Sequence, residues 1–374
     1  MNATVPGIKF DSAGVCSFCH FHDMLEREYP LSSEGQKRLE SQIEKMKKAG
    51  QGRKYDCVTG ISGGRDSTFT LYQLVKHFGL RPLAVHFNDG FGNPTAGNNM
   101  KQACERLGVE LRTITSDWRE SKDLKIAYLK ASTPDLEEGT DVGIAAALYG
   151  VAARENVKHI VIGQSFRTEG VCPLEWNYLD GKYLKEVHRM FGTFPLRKGT
   201  LEDPGFNLEL WRIFQYVVLK GIKVVPVLYY MNYVRKDAEK VIVDELGWVN
   251  TGAHYYDDLY QSLMTYLLRV KFGIDRRVFN YSALVRSGQM SRDEALERTG
   301  EVYVIEDPEV IRLCIKRLGL TREEFDEFVK APTRTFKDYP SHYNLIRLFK
   351  FPIWLLTNLH ILPKTAYAKY FWFN

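Results

Sequence analysis

The residues best suited to chemistry are Ser62-Gly63-Gly64-Arg65-Asp66-Ser67-Thr68, lying between an apolar run at 55–61 and a helical pattern. The first amides of a helix have no intrahelical partner and point outward with the positive end of its macrodipole. Gly63 and Gly64 remove the side chains that would keep an anion from those amides, while Ser62, Ser67 and Thr68 add hydroxyl donors. The heptad therefore reads as a phosphate cradle, with a plain strand-to-helix turn as the alternative for Gly-Gly alone. No Gly-Lys-Ser/Thr follows at Walker spacing, and the loop is not G-x-G-x-x-G. Asp66 cannot favour an anion, so it either caps the helix or holds Mg²⁺ against the phosphates, with the cap preferred.

Such a cradle needs a strand before it and a helix after it, and the pattern supplies both. A helix is expected at 33–49, a strand at 55–61, a helix at 66–78, a strand at 82–88, a helix at 95–107 and a strand at 109–115. An alanine-rich helix at 141–155 and strands at 159–163 and 222–227 follow. Short right-handed crossovers of this kind build a doubly wound parallel α/β sheet, which binds ligands at the carboxyl ends of its strands. From 229 onward the pattern is mostly helical, with an amphipathic segment at 256–271 and capping signals at Ser291 and Thr321. The expected division is an N-terminal cysteine knuckle and helix at 1–50, a nucleotide-binding α/β domain at 51–228, and a helical substrate or partner region at 229–374.

With 374 residues and 44% apolar content, the chain buries a large core. A net charge of +5 with no long basic block makes no demand for a nucleic-acid partner. No stretch is long and apolar enough to span a bilayer and no leader is evident, so a cytoplasmic protein is expected. The stretch 349–374 is rich in aromatic and aliphatic residues with scattered lysines, and is expected to pack on its own domain rather than on a membrane surface or partner. Cys57, Cys104, Cys172 and Cys314 are isolated and read as small buried hydrophobes. Cys16 and Cys19 form a C-x-x-C pair with His20 and His22 close by, half of a four-ligand zinc site. Nothing around that pair suggests a redox motif.

Ser-Gly-Gly-x-Asp-Ser after a strand resembles the PP-loop of ATP pyrophosphatases, which cleave ATP between its α- and β-phosphates and activate a carbonyl oxygen as its adenylate. Further blocks resemble the N-acetyl sugar amidotransferases of surface-polysaccharide biosynthesis, such as lipopolysaccharide and O-antigen. These are Pro6-Gly7-Ile8-Lys9-Phe10-Asp11, Gly14-Val15-Cys16-Ser17-Phe18-Cys19, Asn93-Pro94-Thr95-Ala96 with Asn98-Asn99, Thr140-Asp141, Lys271-Phe272-Gly273-Ile274-Asp275-Arg276-Arg277, and Ser287-Gly288-Gln289-Met290-Ser291-Arg292-Asp293-Glu294-Ala295. Together they span most of the chain. Lysine is common in that family where Arg65 stands here, and the family carries a further C-x-x-C just upstream of where Met1 lies.

The resemblance implies ATP and Mg²⁺ as reactants, with a structural Zn²⁺ on Cys16 and Cys19. ATP would adenylylate the amide oxygen of a nucleotide-linked N-acetyl sugar, and ammonia would then displace AMP to leave an acetamidine. Ammonia would come from a separate glutaminase subunit with an imidazole-glycerol-phosphate synthase-like partner, since no glutaminase nucleophile is evident in the chain. The ATP site implied comprises Ser62, Gly63, Gly64, Arg65, Asp66, Ser67 and Thr68 with His86, Asn88, Asp89, Gly163 and Gln164. Ser62, Arg65, Asp66, Asp135 and Asp141 are the catalytic candidates, and Asn98, Asn99, Arg167, His254, Arg276 and Arg277 the candidates for the sugar substrate. Two other readings remain open. One is a PP-loop enzyme that modifies tRNA by thiolation or a lysidine-type reaction; it should show a basic RNA-binding domain. The other is a non-catalytic nucleotide-binding assembly subunit.

Overall fold

A computed structural model of the chain describes residues 1, 3, 5–252, 256–358 and 364–372. Helices α1 (Ser17–Glu28) and α2 (Ser33–Ala49) precede strand β1 (Cys57–Gly60), which runs through the Ser62–Gly64 loop into α3 (Arg65–Tyr72). There follow β2 (Pro82–Asn88), α4 (Pro94–Leu107), β3 (Leu111–Thr115), α5 (Trp118–Ala131), α6 (Glu138–Arg154), β4 (His159–Ile162), the short α7 (Phe166–Glu169), α8 (Gly181–Phe191), α9 (Leu210–Phe214) and β5 (Lys223–Pro226). The remainder is helical: α10 (Arg235–Leu246), α11 (Tyr260–Phe272), α12 (Arg276–Arg286), α13 (Arg292–Gly300), α14 (Pro308–Arg317), α15 (Arg322–Lys330), α16 (Tyr343–Leu348), α17 (Lys350–Asn358) and α18 (Lys364–Phe371).

All strand pairs are parallel, in the order β3-β2-β1-β4-β5. Their side chains alternate between two buried layers, as strands covered on both faces must. Val58, Leu83, Val85 and Ile160 enter a core with α5, α6 and α8. Cys57 and Val161 meet Leu39, Ile43 and Met46 of α2, while Ala84 packs with α4 and with Ala238, Ile242 and Leu246 of α10. The molecule is thus a doubly wound α/β sheet with a C-terminal helical region. Because α2 and α10 complete one layer of the sheet, that layer extends past both limits expected for the nucleotide-binding domain, 51 and 228.

The sheet order places the site. β1 is followed by β2 and β3 on one side, and the chain then crosses to place β4 on the other. That reversal opens a crevice outside the carboxyl ends of β1 and β4. The loop after β1 stands in it. No helix among the described residues is long and apolar enough to cross a membrane.

Candidate functional site

Gly63 has φ +80°, and a Cβ there would lie 2.0 Å from the carbonyl oxygen of Ala96 in α4. Only glycine takes that conformation without strain in so close a space. Gly64 has ordinary backbone geometry and is the N-cap of α3, with a hypothetical Cβ 3.3 Å from both Ser62 Oγ and Asp257 Oδ2. The Ser67 hydroxyl locks the turn. It receives the Ser62 amide at 3.2 Å, stands 3.1 Å from Ser62 Oγ and donates to Gly64 O at 3.2 Å. The Gly63 carbonyl accepts from the Trp248 indole at 2.9 Å and from Asn99 Nδ2 at 3.2 Å. These contacts turn the peptide oxygen into the protein; the Gly64 amide is taken by Ser62 Oγ at 3.3 Å, and the next amides of α3 begin at the carboxyl end of β1.

Beside the loop lies a buried charged group. Arg65 Nε donates to Asp66 Oδ1 at 2.8 Å and to Tyr233 Oη at 3.1 Å, and Tyr233 also donates to Asp66 Oδ1. The Nη2 of Arg65 is buried without a hydrogen-bond partner among the described residues. Burial and the facing Asp66 carboxyl, to which it hydrogen-bonds, push the Glu169 carboxyl well above the usual range. The N-cap position of α3 is held by Gly64 rather than Asp66, whose carboxyl faces Arg65, Tyr233 and Glu169.

A second group forms where residues 256–259 run against 91–93. Gly92 bridges Asp258, Asn93 N donates to Asp257 O at 3.0 Å, and Leu259 N donates to Phe91 O at 2.8 Å. Asp257 is thereby brought to the loop; its carboxyl is pushed up by burial, a hydrogen bond with Ser62 opposing the shift. Asp258 is brought toward Lys125. Lys125 Nζ is buried, 2.8 Å from Asp89 Oδ2, 2.9 Å from Thr140 Oγ1 and 3.9 Å from the Tyr260 ring centroid. Burial works against the Lys125 charge, yet Asp89 and Asp258 outweigh it and raise its pKa. Asp258 is pushed well up by burial and by Asp89. Glu137 accepts from Gln261 Nε2, and Gln261 Oε1 accepts from Arg276 Nη1. Burial and the neighbouring Asp141 carry the Glu137 carboxyl to about 7. The fully buried Tyr260 hydroxyl has no partner among the described residues.

The expected residues separate accordingly. Gly163 closes on α3, its hypothetical Cβ 3.0 Å from Ser67 Cα, with exposed Gln164 after it. His86 Nδ1 lies 3.3 Å from Ile61 O, and burial lowers its pKa. Asn88 Oδ1 is used by the Gly90 amide at 3.0 Å. Thr68 is buried inside α3, and its hydroxyl has no partner among the described residues. Asp89, Asp141 and Arg276 converge on the Lys125 group.

Other expected residues do not converge there. Asp135 accepts from Tyr178 N at 2.7 Å and Tyr183 Oη at 3.1 Å within the core. Arg167 spans Glu26, Tyr29 O and Tyr229 O, fastening α1 to the sheet rather than facing the crevice. Asn99 uses its amide on Gly63 O, Val249 O and Val249 N. Asn98 is exposed on α4. Arg277 pairs with Asp275 and donates to Glu301 O at 2.6 Å, lining a cavity of about 370 Å³ with Arg269, Tyr303 and Glu306. His254 lies outside the described residues.

The zinc expectation is not supported. Cys16 and Cys19 sulfurs lie 3.5 Å apart, but His20 pairs with Asp11 at 2.8 Å and His22 with Glu26 at 3.4 Å. Among the described residues no three or more His, Cys, Asp or Glu side chains gather to hold a metal ion.

Trp248, Tyr233, Lys125, Glu137, Asp257 and Asp258 were missed from the sequence. Only Asp257-Asp258, an acidic pair opening the long amphipathic segment, carries a local signal.

Residues 250–351 match the family of the C-terminal domain of WbpG-like LPS biosynthesis proteins. An uncharacterized protein of Methanocaldococcus jannaschii is 22% identical over 318 residues, covering 84% of this chain and 94% of that protein. Two solved structures overlap loosely with the chain. The NH3-dependent NAD synthetase of Campylobacter jejuni has 15% identity and a TM-score of 0.29, covering 80% of this chain and 98% of that one. The U34-tRNA thiolase NcsA of Methanococcus maripaludis has 11% identity and a TM-score of 0.32, covering 72% and 86%. Superpositions this loose establish nothing about activity.

Proposed function

We propose that the chain is an ATP-dependent, AMP-forming amidotransferase of LPS-type polysaccharide biosynthesis that converts a nucleotide-linked N-acetyl sugar into its acetamidino form. The observation that carries the ATP half is Gly63, held left-handed against Ala96 so that the start of α3 faces the crevice at the carboxyl end of β1. The match of residues 250–351 to an LPS biosynthesis domain supports the pathway class.

In this reading the amides of Arg65, Asp66 and Ser67 and the Ser62 hydroxyl take the β- and γ-phosphates as they leave, with the Arg65 guanidinium beside them, stabilising the developing charge. Mg²⁺ would be held chiefly by phosphate oxygens, with the Asp66 and Asp257 carboxyls beside the loop, and would neutralise the departing pyrophosphate. The N-acetyl oxygen attacks the α-phosphorus, the bond to the β-phosphate oxygen breaks, and pyrophosphate departs. Ammonia then adds to the activated carbon and AMP carries the oxygen away. Glu137, Asp141 and Asp258 form the acceptor side, where a carboxyl titrating at about 7, as Glu137 does, is matched to taking a proton from the incoming nitrogen near neutral pH. A separate glutaminase with a synthase-like partner is the proposed ammonia source.

The test is incubation with ATP, Mg²⁺, concentrated ammonium and a panel of nucleotide-linked N-acetyl sugars. AMP and a product lighter by the difference between an oxygen and an NH group are expected. Release of ADP instead would sink the mechanism.

A further inference from the structure

The last helices carry an apolar surface that the cores leave uncovered. On α16 and α17, and at the residue between them, Leu345, Leu348, Phe349, Phe351, Trp354 and Leu355 are all exposed, Leu348 to 79% and Phe351 to 68%. Soluble surfaces rarely expose so continuous an apolar strip without a partner. The strip is held rigidly to the body. Tyr343 of α16 packs on Phe336 and Tyr178, Ala368 of α18 enters the core under α1, and Trp372 Nε1 donates to Ser17 O at 3.3 Å. The helix α17 between them, nine residues long, is carried outside.

The charge carried by this segment of the sequence has one sign. No Asp or Glu occurs from Tyr339 to Asn374, while Arg347, Lys350, Lys364 and Lys369 do. Arg347 Nη1 donates to Tyr343 Oη at 3.0 Å and Lys350 Nζ lies 5.8 Å from the Phe371 ring centroid. Neither is paired with a carboxylate among the described residues.

We propose that this surface docks on an anionic lipid bilayer, α17 lying in the plane of the interface. Phe351, Leu348 and Leu355 would enter the acyl boundary, Trp354 would sit at headgroup depth, and Arg347 and Lys350 would meet lipid phosphates. Nine residues are far too few to span the hydrocarbon layer, so the contact is peripheral. A second copy of the chain is a poorer occupant. Two-fold pairing of this face would set its cations against their own copies, with no carboxylate from residues 339–374 to offset them. The proposal is independent of the ATP reading.

The full chain is mixed with vesicles of phosphatidylcholine alone or with phosphatidylglycerol added, and bound protein is measured by flotation. Binding is expected to require phosphatidylglycerol and to weaken with salt. Arg347→Gln and Lys350→Gln, both at surface positions, should each lower the affinity about five-fold. Phe351→Ser with Leu355→Ser should abolish binding while the far-ultraviolet circular dichroism stays unchanged. Equal binding to both vesicle types, or wild-type behaviour of the charge variants, would overturn the proposal. So would absence of lipid binding in a chain that runs as a dimer and becomes monomeric in the Phe351→Ser, Leu355→Ser variant.

Discussion

The Trp248 indole donates to the carbonyl of Gly63 at 2.9 Å, so the peptide that shapes the Ser62–Ser67 loop is oriented by a residue 185 positions later. Trp248→Phe should keep the packing and lose this bond, with Asn99 left to hold the carbonyl alone. The expected cost is about 1–2 kcal/mol in unfolding free energy. A fall in ATP affinity by calorimetry should accompany it, as the Gly63 peptide gains freedom to rotate.

Gly63→Ala and Gly64→Ala separate scaffold from cradle. At Gly63 the new methyl meets backbone at 2.0 Å, so melting temperature and ATP binding should fall together. At Gly64 the backbone is ordinary and the nearest atoms lie at 3.3 Å, so the fold should persist while the methyl intrudes where phosphate would sit. Undiminished ATP binding by Gly64→Ala would remove the cradle assignment.

Glu137 makes stability depend on pH with a defined sign. Its folded pKa is raised from 4.5 to about 7, so the native state holds the proton more tightly than the unfolded chain. The resulting stability is fully present below pH 4.5 and lost as pH rises to about 7. Glu137→Gln cannot lose that proton. Its urea-unfolding free energy relative to wild type should therefore grow across this window, by on the order of 3 kcal/mol. Parallel pH profiles for the two proteins would refute the buried acid.

Arg167→Ala should destabilise by about 3 kcal/mol, because it strands Glu26 and two backbone carbonyls that the guanidinium now satisfies. Although burial opposes its charge, bonds from His22 and Arg167 hold the Glu26 carboxyl at about 2. The stability this contributes is present above pH 4.5 and is lost as pH falls toward about 2, a loss that should be smaller in the variant, where only the His22 bond remains. ATP affinity, measured where the variant remains folded, should be retained.

The strand-loop-helix unit at Ser62 was legible because its signals are local: an apolar run before it, two glycines within it and helical spacing after it. The parallel sheet was legible for the same reason. The helix α5 was not assigned, although Asp117 caps it, and with it went Lys125, which reads in isolation as one more surface lysine. Asn99, Asp135 and Arg167 were placed near a site by sequence neighbourhood. Their side chains are instead spent on the scaffold, and side-chain direction is set by tertiary packing that no short motif encodes. Trp248 and Tyr233 touch the loop only through long-range folding, so no spacing announces them.

Asp257 and Asp258 are consecutive, one beside the Ser62 loop and the other beside Lys125. Their Cα atoms are separated by one covalent step of about 3.8 Å. The offset between the two groups is thus a ruler written in the chain itself, indifferent to how the helices beyond it drift or are replaced. The helices from α11 onward can be remodelled without moving that offset, whereas a single insertion between these two aspartates would break the alignment at a stroke.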